Sequence, residues 1–359
     1  MFLALRDLRF ARGRFTLMGA VIALITLLVV LLSGLTAGLG AQSVSAITSL
    51  NADRIVFSAP ADGDSASYGQ SRLDEKQLQQ YADASKDKAT GVTAATPIGI
   101  AQTSMQKGAK RVAISAFGVQ PKGFVTPQGV GDNEVVVSDA LKDDGVKVGD
   151  EITIGGTTFT VAAMRADSSY NHTPVVWMDL SQWQSLDAAG GATSTVLALN
   201  TTGDYNGAAL EKNSKTVTET LDGSLGAVGS YSAENGSLTM IRVLLLGISA
   251  VVVGAFFTVW TIQRTPDIAV LKAVGASTKY VVKDAAAQAF FVLLIGGGIG
   301  ALVASGLGLL AASVVPFVVD VSTTVVPLAL LIALGMVGAL AALKRISSVD
   351  PITALGAAR

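Results

Sequence analysis

The chain has 359 residues, half of them hydrophobic and only 15% charged, and its mean hydropathy of +0.52 is too apolar for a soluble globular protein of this length. It contains no cysteine, which excludes disulfides, thiolate nucleophiles and Cys-ligated zinc or iron–sulfur centres. The net charge is −1, yet acids and bases are spread so unevenly that the balance of each segment says more than the total.

Residues 1–14 form a basic segment holding Arg6, Arg9, Arg12 and Arg14 against Asp7. No charge then appears until Asp53, so 15–42 is expected to be a first membrane helix with a stalk extension. Its length favours an uncleaved signal anchor over a signal peptide. Residues 43–238 read as a separate α+β domain. Three further apolar runs follow: 239–263, bounded by Arg264; 284–318; and 324–343. A basic loop at 264–283, a short link at 319–323 and a tail at 344–359 connect and end them. The expected fold is four transmembrane α-helices with an α+β domain inserted between the first and second.

Charge sets the expected orientation. The N-terminal segment, the 264–283 loop with Asp284 and the tail together carry eleven Lys or Arg against four Asp, whereas 40–238 carries fourteen bases and twenty-two acids. Bases gather on the cytoplasmic side of short flanks. Both termini are therefore expected inside, with the large domain outside a plasma membrane.

Within that domain, runs rich in β-branched residues at 55–58, 112–119, 134–137, 151–154, 158–162, 175–178 and 196–199 read as strands. Segments 73–85 and 206–221 read as helices, with a shorter one at 179–186. Two Gly-containing turns, 145–150 and 154–157, are expected to join antiparallel strands. The stretch 59–70 reads as a mobile loop. No enzyme signature is found: His172 is the only histidine, no nucleophile elbow is present, and a paired-histidine metal motif is impossible. Beside Asn171 and Pro174, His172 reads as a loop residue.

The most informative motif is Arg264-Thr-Pro-Asp-Ile-Ala-Val-Leu-Lys-Ala-Val-Gly-Ala-Ser277. Ile268, Leu271 and Val274 or Gly275 recur at helical spacing, which predicts a short amphipathic helix along the membrane. Pro266 suits its first turn, Asp267 its positive end, and Gly275 its stop. Such a helix is either a loop resting on lipid or a docking knob for a cytoplasmic partner.

This motif resembles the cytoplasmic loop of ABC-transporter permeases of the FtsX/MacB-like superfamily. The tail Val349-Asp-Pro-Ile-Thr-Ala-Leu355 is similar to their usual ending. Asn133-Glu-Val-Val-Val-Ser-Asp-Ala-Leu141 with Gly145-Val-Lys-Val-Gly-Asp-Glu-Ile-Thr-Ile-Gly-Gly156 resembles their extracytoplasmic domain. Asp267 is one departure, since the family more often has Glu there.

The resemblance implies a type VII ABC complex: two copies of this chain, driven by two copies of a cytoplasmic ATPase, in contact with membrane lipid and with no nucleic acid. It also assigns Arg264, Asp267, Ile268, Leu271, Lys272 and Gly275 to ATPase coupling. No phosphate-binding loop of the Gly-x-x-x-x-Gly-Lys-Ser/Thr kind occurs, so ATP would be bound and hydrolysed by the partner, and the chain itself is not expected to be an enzyme. Gly34 and Gly38, and Gly300, Ala304 and Gly308, have the four-residue spacing of close helix packing or a dimer face.

Within the superfamily, the opening Phe2-Leu-Ala-Leu-Arg-Asp-Leu-Arg-Phe10 and the four-helix layout look most like haem-exporter (HrtB-type) and DevC-type permeases. Haem would then be cargo rather than resident cofactor. Tyr231, Glu234, Met240 and Arg242 fall within twelve residues at the outer end of the second helix. Tyr and Met are known axial-ligand types, and Arg242 suits a propionate. The plainer reading has Arg242 and Tyr231 anchoring the helix among headgroups. Two other functions keep the same layout: MacB-like handling of peptides, lipids, antibiotics or lipoproteins, and FtsX-like signalling to a cell-wall hydrolase.

Overall fold

The computed structural model describes residues 12–61, 63–166 and 168–343; the side chains of Arg12, Arg14, Lys88, Asp267, Leu271 and Leu343 lie outside that description. The arginines expected inside at Arg6 and Arg9, and the tail motif at 349–355, also fall outside the described residues. In chain order the elements are α1 (Arg12–Thr48), β1 (Arg54–Ser58), α2 (Glu75–Ala84), β2 (Val92–Lys107), β3 (Lys110–Val119), β4 (Glu134–Ser138), β5 (Glu151–Ile154), β6 (Thr157–Arg165), β7 (Ser169–Tyr170), β8 (Thr173–Asp179), α3 (Leu180–Gln184), β9 (Val196–Thr201), α4 (Ala208–Ser214), β10 (Thr216–Thr220), α5 (Leu221–Ser224), α6 (Gly229–Gln263), α7 (Thr265–Ala273), α8 (Thr278–Ala311) and α9 (Val321–Leu343). They fall into two units, residues 39–235 and the remainder.

In the first unit the strands run β10-β1-β9-β2-β3-β8-β4-β6-β5, and β5 returns to pair with β2 through Met105↔Ile154. Strands β2, β3, β8, β4, β6 and β5 therefore close into a ring, which removes two exposed edges. Met105, Ile114, Val135, Ile152, Phe159, Met178 and Trp183 fill one core cluster of the unit. Trp183 lies against two strands at once because Gly99 and Gly118 face each other in the β2–β3 register. A Cβ at either glycine would overlap the indole ring.

Four features of the unit differ from expectation. β2, the longest strand, is unforeseen because Pro97 and Gly99 interrupt its pattern as strand breakers do. The expected 206–221 helix ends at Ser214, where Lys215 turns left-handed at φ 53; the β-branched run Thr216–Thr220 then pairs antiparallel with β1. Of the two Gly-containing turns, only Gly155–Gly156 joins an antiparallel pair, β5 and β6. The 145–150 turn leads from a 3₁₀ turn into β5, whose pairing with β6 leaves β4 to run parallel to β6. The 59–70 loop is also anchored: Tyr68 is 1% exposed, donates to Ser224 Oγ at 2.9 Å and meets Phe57 edge to face. Burial without a charged partner pushes its phenol well above the usual range.

In the second unit, α1, α6, α8 and α9 contain stretches long and apolar enough to cross a bilayer. Phe15, Ile22, Phe257, Trp260, Ala289, Leu293, Leu331 and Ala339 form its core. Several hydroxyls on these helices are satisfied locally, Thr26 donating to Ile22 O at 2.8 Å and Thr258 to Gly254 O at 2.8 Å, whereas the buried Ser249 and Thr261 hydroxyls have no partner among the described residues. α1 (37 residues) and α6 (35 residues) each exceed the roughly 20 residues that a bilayer core requires. α8 starts at Thr278, ahead of the expected 284, because Ser277 caps it by accepting from Tyr280 N at 3.2 Å. Residues 312–320 link α8 to α9, and Asp320 caps α9 by accepting from Thr323 N at 2.8 Å. Hydrogen bonds from Ser322 and Thr323 hold the Asp320 carboxyl below its usual range.

Candidate functional site

The loop between α6 and α8 is shaped by its punctuation. The Arg264 amide donates to Trp260 O and Thr261 O, Pro266 occupies the first turn of α7, and Gly275 ends the segment at φ 102. Ile268 and Ala269 are buried, 4% and 1% exposed, and pin α7 to the helical core. The expected apolar stripe is corrected at one position. Val274 is 85% exposed, and Val270, 52% exposed, is also turned outward, because Ile268 and Ala269 take the buried face. Lys272 is half-buried, and α7 also carries Asp267 and Leu271.

Arg264 lies 4.9 Å from the Trp260 ring centroid, and its Nη1 is 3.4 Å from Gln288 Oε1. Gln288 is fully buried and donates to Asp284 Oδ2 at 3.0 Å. A polar chain thus runs from the start of α7 to α8. Gln288 escaped the sequence reading because a lone amide inside an apolar run carries no signal without its neighbours.

The glycines expected to mediate packing are all in close contact within the chain. A Cβ on Gly300 would overlap the Ala23 carbonyl of α1, and one on Gly308 would overlap the Phe317 ring. Gly34 and Gly38 meet the 316–318 link rather than a helix, and Val318 N donates to Gly34 O at 3.1 Å.

Tyr231 and Glu234 fall in the first unit, while Met240 and Arg242 lie further along α6 in the second. Met240 is 63% exposed and Arg242 is half-buried. The unforeseen member is His172. With Asn171 it forms the two-residue turn of the β7–β8 hairpin, both at positive φ, 49 and 63, as a type I′ turn requires. Neither residue is Gly, so the turn stores backbone strain that its surroundings must offset.

They do so through hydrogen bonds. Asn171 N donates to Ser43 O at 2.9 Å, and His172 N donates to Gln42 O at 3.1 Å. His172 Nε2 is 3.1 Å from Ser43 Oγ and 2.8 Å from Glu234 Oε1. The hairpin therefore straps the 42–45 stretch of α1 to the 230–234 stretch of α6. Glu234 Oε2 is buried with no hydrogen-bond partner among the described residues. His172 is thus a tethering residue rather than a plain loop residue, and the contact spans 62 positions that no local pattern links.

The chain is similar to known proteins over nearly its whole length. The MacB-like periplasmic core domain model matches residues 15–213, and the FtsX-like permease C-terminal model matches 239–351. A Staphylococcus epidermidis protein named as the hemin transport system permease protein HrtB is 24% identical, the match covering 99% of each chain. An uncharacterized ABC transporter permease of Mycobacterium bovis is 26% identical, with 99% of each covered. The periplasmic region of MacB from Actinobacillus actinomycetemcomitans aligns at 14% identity and a TM-score of 0.36, over 49% of this chain and 92% of that one.

The class defined by four apolar helices and an extracytoplasmic α+β domain is the ABC transporter permease of the FtsX/MacB type. The chain belongs to the family of the MacB-like periplasmic core domain, joined to an FtsX-like permease C-terminal region.

Proposed function

We propose that this chain is the membrane subunit of an efflux complex with haem as its cargo, assembled from two copies and driven by two cytoplasmic ATPase subunits. It is not itself an enzyme, and both termini face the ATPases. Support for the cargo comes first from Glu234. A buried carboxylate oxygen without a donor is costly unless something binds it, and this one sits beside the only histidine. Tyr231, Met240 and Arg242 on the same helix add two axial-ligand types and a cation suited to propionates. The full-length match to permeases named for hemin transport points the same way.

Energy coupling runs through α7. Val270 on α7, Val274 just after it and Tyr280 on the first turn of α8 are exposed and offer apolar contacts to an ATPase groove. The Arg264–Gln288–Asp284 chain carries displacement of α7 to α8.

Titration of the purified chain with haem tests the cargo. A Soret shift is expected, weakened in Glu234→Ala and Met240→Ala, with export lost in Arg242→Ala. No shift, or normal export by the variants, rejects haem. Haem-stimulated ATPase activity of the reconstituted complex separates transport from signalling. An impermeant amine reagent should label the exposed Lys142 and Lys212 on intact spheroplasts; labelling seen only after lysis rejects the orientation.

A further inference from the structure

The unit of residues 39–235 also contains a cavity of about 370 Å³ between the loop that joins β1 to α2, β2, the β7–β8 hairpin and the start of α6. That volume lies at the lower end of ordinary small-molecule sites. Its lining includes the apolar Ile100, the rings of Tyr68 and Tyr170, and the polar residues Gln102 and Asn171. Arg72 is the only charged side chain in the lining, and among the described residues no carboxylate faces it. Its Nη1 donates to Gly69 O at 3.2 Å and Ser71 O at 2.6 Å, which fixes the guanidinium while leaving Nη2 and Nε available.

Tyr170 adds a second donor to the lining. It is 7% exposed, its ring is fixed by edge-to-face contacts with Tyr68 and Phe117, and it lines the cavity. Its hydroxyl has no hydrogen-bond partner among the described residues, whereas the neighbouring Tyr68 hydroxyl is paired with Ser224. Burial raises the Tyr170 phenol above its ordinary range, so the group remains a neutral donor. The Tyr170 hydroxyl is not among the buried unpaired atoms and so is open to the cavity, where a ligand can meet it. Both donors line the cavity, and no acid is in its lining to balance them.

We infer that this cavity is a binding site for a small soluble anion, a phosphate or carboxylate group carried on a compact apolar or aromatic body. Arg72 and the Tyr170 hydroxyl hold the anionic oxygens, and Tyr68 and Ile100 pack the body. The site is independent of the haem reading, because it uses none of Tyr231, Glu234, Met240 or Arg242.

Calorimetric titration of the full-length chain in a neutral detergent tests it, with phenyl phosphate and benzoate as probes and benzyl alcohol as the uncharged control. Phenyl phosphate or benzoate should bind saturably, and benzyl alcohol at least about tenfold more weakly, the worth of one charge-assisted hydrogen bond. Arg72→Gln should weaken the anion about tenfold, while Arg72→Lys retains most of the affinity. Tyr170→Phe keeps the ring and loses no protein hydrogen bond, so its melting temperature should match wild type while anion affinity falls about threefold. The inference is overturned if neither anion binds, if benzyl alcohol binds as tightly, or if Tyr170→Phe binds with wild-type affinity. None of these outcomes depends on whether haem shifts the Soret band.

Discussion

The two units solve the same packing problem under opposite solvents. In residues 39–235 the large apolar side chains go inside, and Val148 is the only large hydrophobic prominently exposed there among the described residues. In the helical unit, Leu17, Leu24, Val251, Leu302, Leu310 and many others face outward, because lipid leaves no hydrophobic reason to bury them. What holds that unit together is close approach at glycine: Gly300 against Ala23, Gly338 against Ala250, Gly296 against Gly19. What holds the outer unit is a ring of strands around Trp183 and hydrogen bonds that join distant positions. A glycine thus makes room for a backbone in one unit and for an indole in the other.

The comparison can be broken at several points, in falling order of effect. Trp183→Ala empties the space that Gly99 and Gly118 frame, and should cost about 3–5 kcal/mol of outer-unit stability, read by thermal unfolding. Helix content in the membrane unit should survive it. Gly300→Val forces a branched side chain onto the Ala23 carbonyl and should cost about 1–3 kcal/mol, visible as lower monodisperse yield and melting temperature in detergent. An unchanged melting temperature would mean that glycine packing does not hold the helices. Tyr68→Phe removes the bond to Ser224 and should cost about 1 kcal/mol, detectable by the same unfolding measurement.

The smallest effect is on pH dependence. Lys107, then the Lys147 amide, hold Asp150 below the ordinary carboxylate range. A depressed folded-state value means the contribution is present above the unfolded value and is lost as pH falls through the folded one. Asp150→Asn should therefore lower the neutral plateau slightly and leave stability at the acid end unchanged, so that the acid limb flattens. An unaltered acid limb would show that the pair is energetically silent, as exposed pairs often are.

The candidate sites were legible to different depths. The α7 loop could be read because Pro266 and Gly275 punctuate a short helix locally. Its exposed face could not, since Ile268 and Ala269 sink only once the other helices surround them. Glu234 was visible as an acid near a membrane edge, but its partner His172 was not: the pairing depends on a strained hairpin meeting the ends of two helices. Tyr170 and Arg72 carry no motif at all, and only the fold brings them to one cavity.

The linear order of residues determined the four apolar spans, the inserted domain and the charge asymmetry, because transfer between water and lipid acts on each segment by composition and length. It also set the local stop at Gly275, where backbone sterics act within a few residues. The closure of β5 onto β2, the seating of Trp183 over Gly99 and Gly118, and the tie from His172 to Ser43 and Glu234 were decided by tertiary structure alone. Each needs groups tens of residues apart to meet within hydrogen-bond or van der Waals distance, and no periodicity in the chain records that meeting.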